Sequence, residues 1–124
     1  MFEYKQDGEY RILVRYNGTD EVVTIPKNVE VIGKNAFYKK NITKVFIPKE
    51  VKWIEEKAFF GCKDLREIVF LDKHCHISIG HKSFSHCSSL NNVTLPYGVT
   101  DCDDSFEHCK KLKCIHREPT PKTF

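Results

Sequence analysis

Four phenylalanines, Phe37, Phe59, Phe84 and Phe106, recur 22, 25 and 22 residues apart, each with the same neighbours at fixed offsets. Phe59-x-x-Cys62-x-x-Leu65 returns as Phe84-x-x-Cys87-x-x-Leu90 and as Phe106-x-x-Cys109-x-x-Leu112. A period in this range marks a solenoid, because so short a unit cannot bury its apolar face alone and must stack on its copies. That constraint bears on architecture and says almost nothing about a reaction.

The unit reads as an apolar strand, a Pro, a second short apolar stretch, Gly or a substitute, then Ala/Ser-Phe. The strands are Val23-Thr24-Ile25, Val45-Phe46-Ile47, Ile68-Val69-Phe70, Val93-Thr94-Leu95 and a final Ile115-His116-Arg117. Pro26, Pro48 and Pro96 end ladder pairing after the first, second and fourth, since Pro has no backbone N–H to donate. Gly33 and Gly80 are expected to take the positive φ of a tight corner. Asn35-Ala36-Phe37, Lys57-Ala58-Phe59, Lys82-Ser83-Phe84 and Asp104-Ser105-Phe106 are expected to open a short helical or 3₁₀ turn in which Phe plugs the coil. The repeats are imperfect: two residues are inserted between Phe70 and Ile79, and one is missing after Phe37 and again after Leu95. Such defects map to turns.

Ahead of the repeats, Tyr10, Ile12, Val14 and Tyr16 alternate with Glu9, Arg11, Leu13 and Arg15, the period-2 pattern of a half-buried strand. Asn17-Gly18 then signals a turn into Glu21-Val22-Val23-Thr24-Ile25, so residues 9–25 read as a β-hairpin, with a further short strand over residues 2–5. Residues 1–21 thus form the cap, residues 22–117 about four repeats ending in a fifth strand, and residues 118–124 a tail unsuited to another coil. The whole 124-residue chain reads as one domain.

Against that frame composition excludes several classes. No stretch approaches the roughly 18 apolar residues of a membrane span. The net charge of +3 arises from mixed Lys and Glu rather than a basic block, which argues against nucleic acid as a partner. Met1-Phe2-Glu3-Tyr4-Lys5 lacks the plan of a signal peptide, so the expected location is cytoplasmic, or the cell surface if the chain is a fragment or has lost its signal.

The unit Ile47-Pro48-x-x-Val51-x-x-Ile54-x-x-x-Ala58-Phe59-x-x-Cys62-x-x-Leu65-x-x-Ile68 resembles the BspA-type leucine-rich repeat over roughly residues 22–117. The resemblance implies an α/β-class, right-handed leucine-rich-repeat solenoid. It would be β-rich, with a parallel sheet on one face, short strands or 3₁₀ turns elsewhere, and here an N-terminal β-hairpin cap. Such repeats serve protein recognition or adhesion, frequently in bacteria and parasitic protists. The chain is short for that family.

In a parallel stack alternate residues share a face and equivalent residues lie about 4.8 Å apart from rung to rung. Val23, Val45, Ile68, Val93 and Ile115 then point inward, with Ile25, Ile47, Phe70 and Leu95 beneath them. The outward rows are Val22, Lys44, Glu67, Asn92 and Cys114, and Thr24, Phe46, Val69, Thr94 and His116. The adjacent pair Phe46 and Val69, rimmed by polar residues, suggests a contact surface, the alternative being strand propensity or cover by the hairpin. The candidate partner-binding face is therefore Thr24, Lys44, Phe46, Glu67, Val69, Asn92, Thr94 and His116. The uncapped C-terminal end is a second candidate, suited to self-association.

Other features carry less. His74, Cys75, His76, His81 and His86 have zinc-ligand chemistry, but no C-x-x-C or paired H-x₃₋₅-H occurs, and solvated loop histidines are the expectation. A Cys75 nucleophile with His74 or His76 as base lacks an orienting acid and oxyanion donors. No glycine-rich phosphate loop and no G-x-S-x-G is present. Cys62, Cys87 and Cys109 share one slot, where a free thiol packs as a small hydrophobe. Asn17, Asn41 and Asn92 head glycosylation acceptor triplets that matter only on a secretory route. The expectation is a non-enzymatic, cofactor-free module that binds an unknown protein partner, with a surface adhesin as the alternative and a metal protein or enzyme as the remote one.

Overall fold

Each repeat supplies two short strands on opposite sides of one coil, because its two apolar stretches are separated by Pro and a bend. The computed structural model describes residues 1–120. Its strands are β1 (Phe2–Asp7), β2 (Tyr10–Tyr16), β3 (Val22–Thr24), β4 (Val31–Ile32), β5 (Lys44–Ile47), β6 (Trp53–Ile54), β7 (Glu67–Phe70), β8 (Ser78–Ile79), β9 (Val93–Leu95) and β10 (Ile115–Arg117). On one side run the parallel ladders β3-β5-β7 and β9-β10; on the other β1-β2-β4-β6-β8 forms a five-stranded sheet, parallel from β2 onward. The second stretch of each repeat is thus a ladder in its own right, with Val31, Trp53 and Ser78 in one register and Ile32, Ile54 and Ile79 in the next.

Between the sheets the core is continuous. Val23, Val45, Ile68 and Val93 are buried, as are Ile25, Ile47 and Leu95, while Phe70 and Ile115 are partly covered. The plug residues form one column: ring centroids are 4.7 Å apart for Phe37 and Phe59, 4.8 Å for Phe59 and Phe84, and 5.3 Å for Phe84 and Phe106, with interplanar angles of 9°, 6° and 6°. These spacings are close to the strand spacing of a sheet, so one aromatic per rung fills the column without a gap. Tyr16 occupies the place of the first plug, stacked on Phe37 at 5.2 Å.

The plug turns are not helical; no helix occurs among the described residues. Their amides alternate in direction. The N–H groups of Ala36, Tyr38 and Lys40 donate within the turn to Gly33, Asn35 and Phe37, whereas those of Phe37 and Lys39 donate to the Ala58 and Phe60 carbonyls of the next coil. A helix would direct every amide along its own axis. Left-handed residues on either side of the plug produce the alternation: Asn35, Lys57 and Lys82 at φ 60°, 57° and 53°, and Lys39, Gly61, His86 and His108 at 55°, 71°, 62° and 59°. Gly33 and Gly80, expected at positive φ, are absent from that set. They are small because backbone passes close by: a Cβ would lie 2.9 Å from the Leu13 carbonyl oxygen at Gly33, and 3.1 Å from that of Ile54 at Gly80.

The cap also differs from the expected one. Its hairpin joins β1 to β2 through Gly8-Glu9, not β2 to β3 through Asn17-Gly18. β2 spends its other edge on β4 in the second sheet, and β3 enters the first sheet against β5. Tyr16 is committed to the plug column, and its hydroxyl accepts a hydrogen bond from the Asp20 N–H at 2.9 Å, so the chain after Asn17 wraps that ring and crosses to the other sheet.

The shared cysteine slot has a repeated bond. Cys62, Cys87 and Cys109 donate their thiols to the carbonyls of Phe37, Phe59 and Phe84, one coil back, at 3.1, 3.3 and 3.1 Å. All six cysteines are free. The thiols on either side, Cys109 and Cys62, together with burial, push the Cys87 thiol far above its ordinary range.

Candidate functional site

Strand alternation turns Lys44, Glu67 and Asn92 outward in one row and Thr24, Phe46 and Val69 in the other, as the ladders Val22↔Lys44↔Glu67 and Thr24↔Phe46↔Val69 require. Thr94 and His116 are paired in the separate β9-β10 ladder. Thr24, Glu67, Asn92, Thr94 and His116 are exposed, and Lys44, Phe46 and Val69 are half-buried. The hairpin joins the opposite sheet, so it does not cover Phe46. Instead the Lys44 ammonium sits 5.0 Å from the centre of the Phe46 ring and 3.2 Å from the Glu67 carboxylate. An exposed pair of this kind adds at most about 1 kcal/mol, and its main effect is to fix where Lys44 lies.

The expected unbroken ladder is interrupted. β5 pairs with β7 over four residues, but β7 touches β9 through the single bridge Glu67↔Asn92. The two-residue insertion is the cause. Its chain turns inward, burying Cys75 and Ile77, and the Lys73 carbonyl accepts the Tyr97 N–H at 3.1 Å, while the Cys75 carbonyl approaches Gly98 so closely that a Cβ there would lie 2.7 Å away. Rungs three and four therefore part beyond Glu67. The result is a groove of about 420 Å³ whose lining includes Glu67, Val69, Asn92 and Thr94, four of the eight candidate residues, with Arg66 and Lys73 at its rim.

The family pattern described as BspA type leucine rich repeat region matches residues 16–124 in six copies. The chain belongs to the BspA-type leucine-rich repeat family. Solved leucine-rich repeat proteins have the same architecture. A leucine-rich repeat protein from Bacteroides capillosus is 25% identical, with a TM-score of 0.85 over 95% of this chain and 94% of that one. The T. pallidum leucine-rich repeat protein is 25% identical at a TM-score of 0.69, covering 92% of this chain and 67% of that one. A leucine-rich cell surface protein from Faecalibacterium prausnitzii is 24% identical at 0.69, with 94% of this chain matched to 41% of that longer one. Among curated proteins none matches the sequence.

Two further outward rows of this family member escape a reading centred on the first ladder. Trp53, 38% exposed, meets Tyr10 edge-to-face at 5.0 Å on the second sheet. Along the turn edge, Tyr38 stacks on Phe60 at 5.4 Å, Phe60 meets His86 at 5.0 Å, and His86 meets His108 at 4.5 Å. The signal for Trp53 is its place beside Ile54 in the second short apolar stretch, where strand alternation turns Ile54 inward and Trp53 outward.

The histidine-rich insertion assembles no ligand set of its own. His74 and His76 are exposed, and the buried Cys75 donates its thiol to the Asp72 carbonyl at 3.4 Å. Of the five residues weighed for zinc, only His81 joins a cluster, and it does so with Cys102 and Asp104 of the last coil, all three ligand atoms lying within 4.8 Å of one another. Asp104 is partly desolvated, which pushes its carboxyl up, but hydrogen bonds from His81 and the Lys82 N–H outweigh this and hold it below its ordinary value.

Proposed function

We propose that this chain is a non-enzymatic protein-recognition module that binds a protein partner on the face of the β3-β5-β7 and β9-β10 ladders, with the groove between β7 and β9 as its centre. The observation that carries the reading is the coincidence of that groove with Glu67, Val69, Asn92 and Thr94, beside the half-buried Phe46. A groove that sets Val69 and Phe70 among polar side chains is the kind of surface where truncation of a few residues costs most of an affinity. The family supplies the class of function, and the face is this chain's own.

The test uses a partner purified on the full chain from its native host. Phe46→Ala with Val69→Ser lowers affinity about tenfold or more, about 1.4 kcal/mol, while the thermal midpoint stays nearly unchanged. Equal binding by the double variant removes this face. A second reading, a role at the cell surface in adhesion, is favoured by the likeness to the Faecalibacterium prausnitzii cell surface protein. Antibody labelling of intact against permeabilised host cells separates the two. Self-association through the C-terminal coil, where Phe106, Leu112 and Ile115 are only partly buried among the described residues, is a third use of the scaffold, read directly by light scattering.

A further inference from the structure

We infer that His81, Cys102 and Asp104 form a three-ligand site for a zinc-class divalent ion on the last complete coil. The Nδ1 or Nε2 of His81, the Sγ of Cys102 and a carboxylate oxygen of Asp104 lie within 4.8 Å of one another, and His81 Nδ1 is already 3.1 Å from Asp104 Oδ1. Zinc bound at about 2.0–2.3 Å to nitrogen, oxygen and sulfur in a tetrahedron needs such atoms about 3.3–3.6 Å apart. Closing the remaining distance takes a side-chain rotation. His81 is free to make it, with 72% of its side chain exposed.

The cluster exists because the last coil departs from the repeat in two ways. Cys102 stands in the slot held by Gly33, Glu55 and Gly80 in the earlier coils, so a thiol is placed where none of those coils has one. The Lys57 N–H donates to the His81 backbone carbonyl of the next coil at 3.0 Å; one coil further on, the corresponding Lys82 N–H donates instead to the Asp104 side chain of the last coil at 3.3 Å. That exchange of a backbone acceptor for a carboxylate carries Asp104 back over His81. Asp104 also lacks the left-handed φ of Asn35, Lys57 and Lys82, its counterparts.

The buried Ser105 holds the arrangement in place. Its hydroxyl accepts the Cys102 N–H at 2.9 Å and donates to the Gly80 carbonyl at 2.9 Å, tying the backbone of Cys102 to that of the residue before His81. A donor set of one imidazole, one thiolate and one carboxylate selects zinc or cobalt over calcium or magnesium, which prefer oxygen alone. Three protein ligands leave the fourth tetrahedral position for water, the arrangement of an open zinc site rather than a closed structural one. Metal binding releases the thiol proton and replaces the His81 to Asp104 hydrogen bond with two metal bonds. His81 and Cys102 also line a groove of about 460 Å³ that takes in Trp53 and Ile79.

Cobalt(II) titration of the reduced full chain tests the assignment, since a thiolate ligand produces an intense sulfur-to-cobalt charge-transfer band in the near ultraviolet. The band is expected in the wild type, to be displaced by stoichiometric zinc, to be lost in Cys102→Ser, and to need at least tenfold more metal in His81→Gln or Asp104→Asn. His81 is exposed, so its variant reports on ligation even if Cys102→Ser destabilises the coil. The competing thiol and imidazole pair, Cys114 and His116 at 3.3 Å, is controlled by Cys114→Ser, which is expected to keep the band. No band in the wild type, a band that survives Cys102→Ser, or one that vanishes with Cys114→Ser overturns the proposal.

Discussion

At the N-terminal end of the plug column Tyr16 is 1% exposed, stacked on Phe37 and covered by Phe2 of the hairpin at 5.3 Å. At the C-terminal end Phe106 keeps the same stacking on Phe84 but is only partly buried, together with Leu112 and Ile115, among the described residues. The side chains are alike; the neighbours are not. Burial in a solenoid is a property of the interface between coils, so a repeat position has no fixed worth until both its neighbours are present.

The largest effect expected from that difference is at the plugs. Phe59→Ala, in mid-column, should cost about 3–5 kcal/mol, the usual loss for a fully buried aromatic, whereas Phe106→Ala should cost about half of that or less. Urea unfolding of the two variants measures both, and equal losses would show that the open end is covered in solution. The next effect is at the joint with the cap. Gly33→Ala pushes a Cβ onto the Leu13 carbonyl oxygen at 2.9 Å and should cost about 1–3 kcal/mol by overpacking. At Gly8, where a Cβ meets nothing within 4 Å, alanine carries only the left-handed backbone cost of about 1–2 kcal/mol.

The Cys87 thiol should separate from exposed ones in a pH series. The Cys87 thiol stays protonated in the folded chain at a pH where the unfolded thiol, with a pKa of about 8.5, has ionised. Unfolding then releases a proton. The contribution to stability is complete below about pH 8.5 and falls by up to about 1.4 kcal/mol per pH unit above it. Chemical unfolding at pH 8 and pH 9.5 should show that loss in the wild type and a smaller one in Cys87→Ser, and an equal slope in both would place the alkaline sensitivity elsewhere. The smallest expected effect is at the end strand: Ile115→Ala should cost no more than about 1–2 kcal/mol against about 2–5 for Ile47→Ala, which has a coil on each side.

Most of the fold was legible because its signals are local and repeated. Alternation within a four-residue strand decides which side chains face in, so Val45 and Ile47 turn inward and Lys44 and Phe46 outward whatever surrounds them. The plug phenylalanines and the cysteine slot were legible for the same reason. Less of the candidate site was legible. The rows around Phe46 and Val69 follow from the register, yet the groove beside them depends on where two inserted residues go, and their pattern permitted an outward bulge as readily as the inward turn of Cys75 and Ile77. The plug segments were expected as short helical or 3₁₀ turns and are turns without helix; the left-handed Lys57 and Lys82 that decide this carry no sequence mark, since lysine rarely adopts that conformation without tertiary hydrogen bonds to hold it.

From its sequence alone this protein was bound to be a stack of coils with one aromatic plug per coil and a defined set of outward residues, because both properties rest on periodicity along the chain. Tertiary structure alone decided which strand completes the cap, where the first ladder opens, and that His81 meets Cys102 and Asp104 rather than His74 or His76. Those outcomes depend on contacts between successive coils, each about twenty residues or more removed in the chain, where the balance of backbone hydrogen bonds and close packing selects the partner.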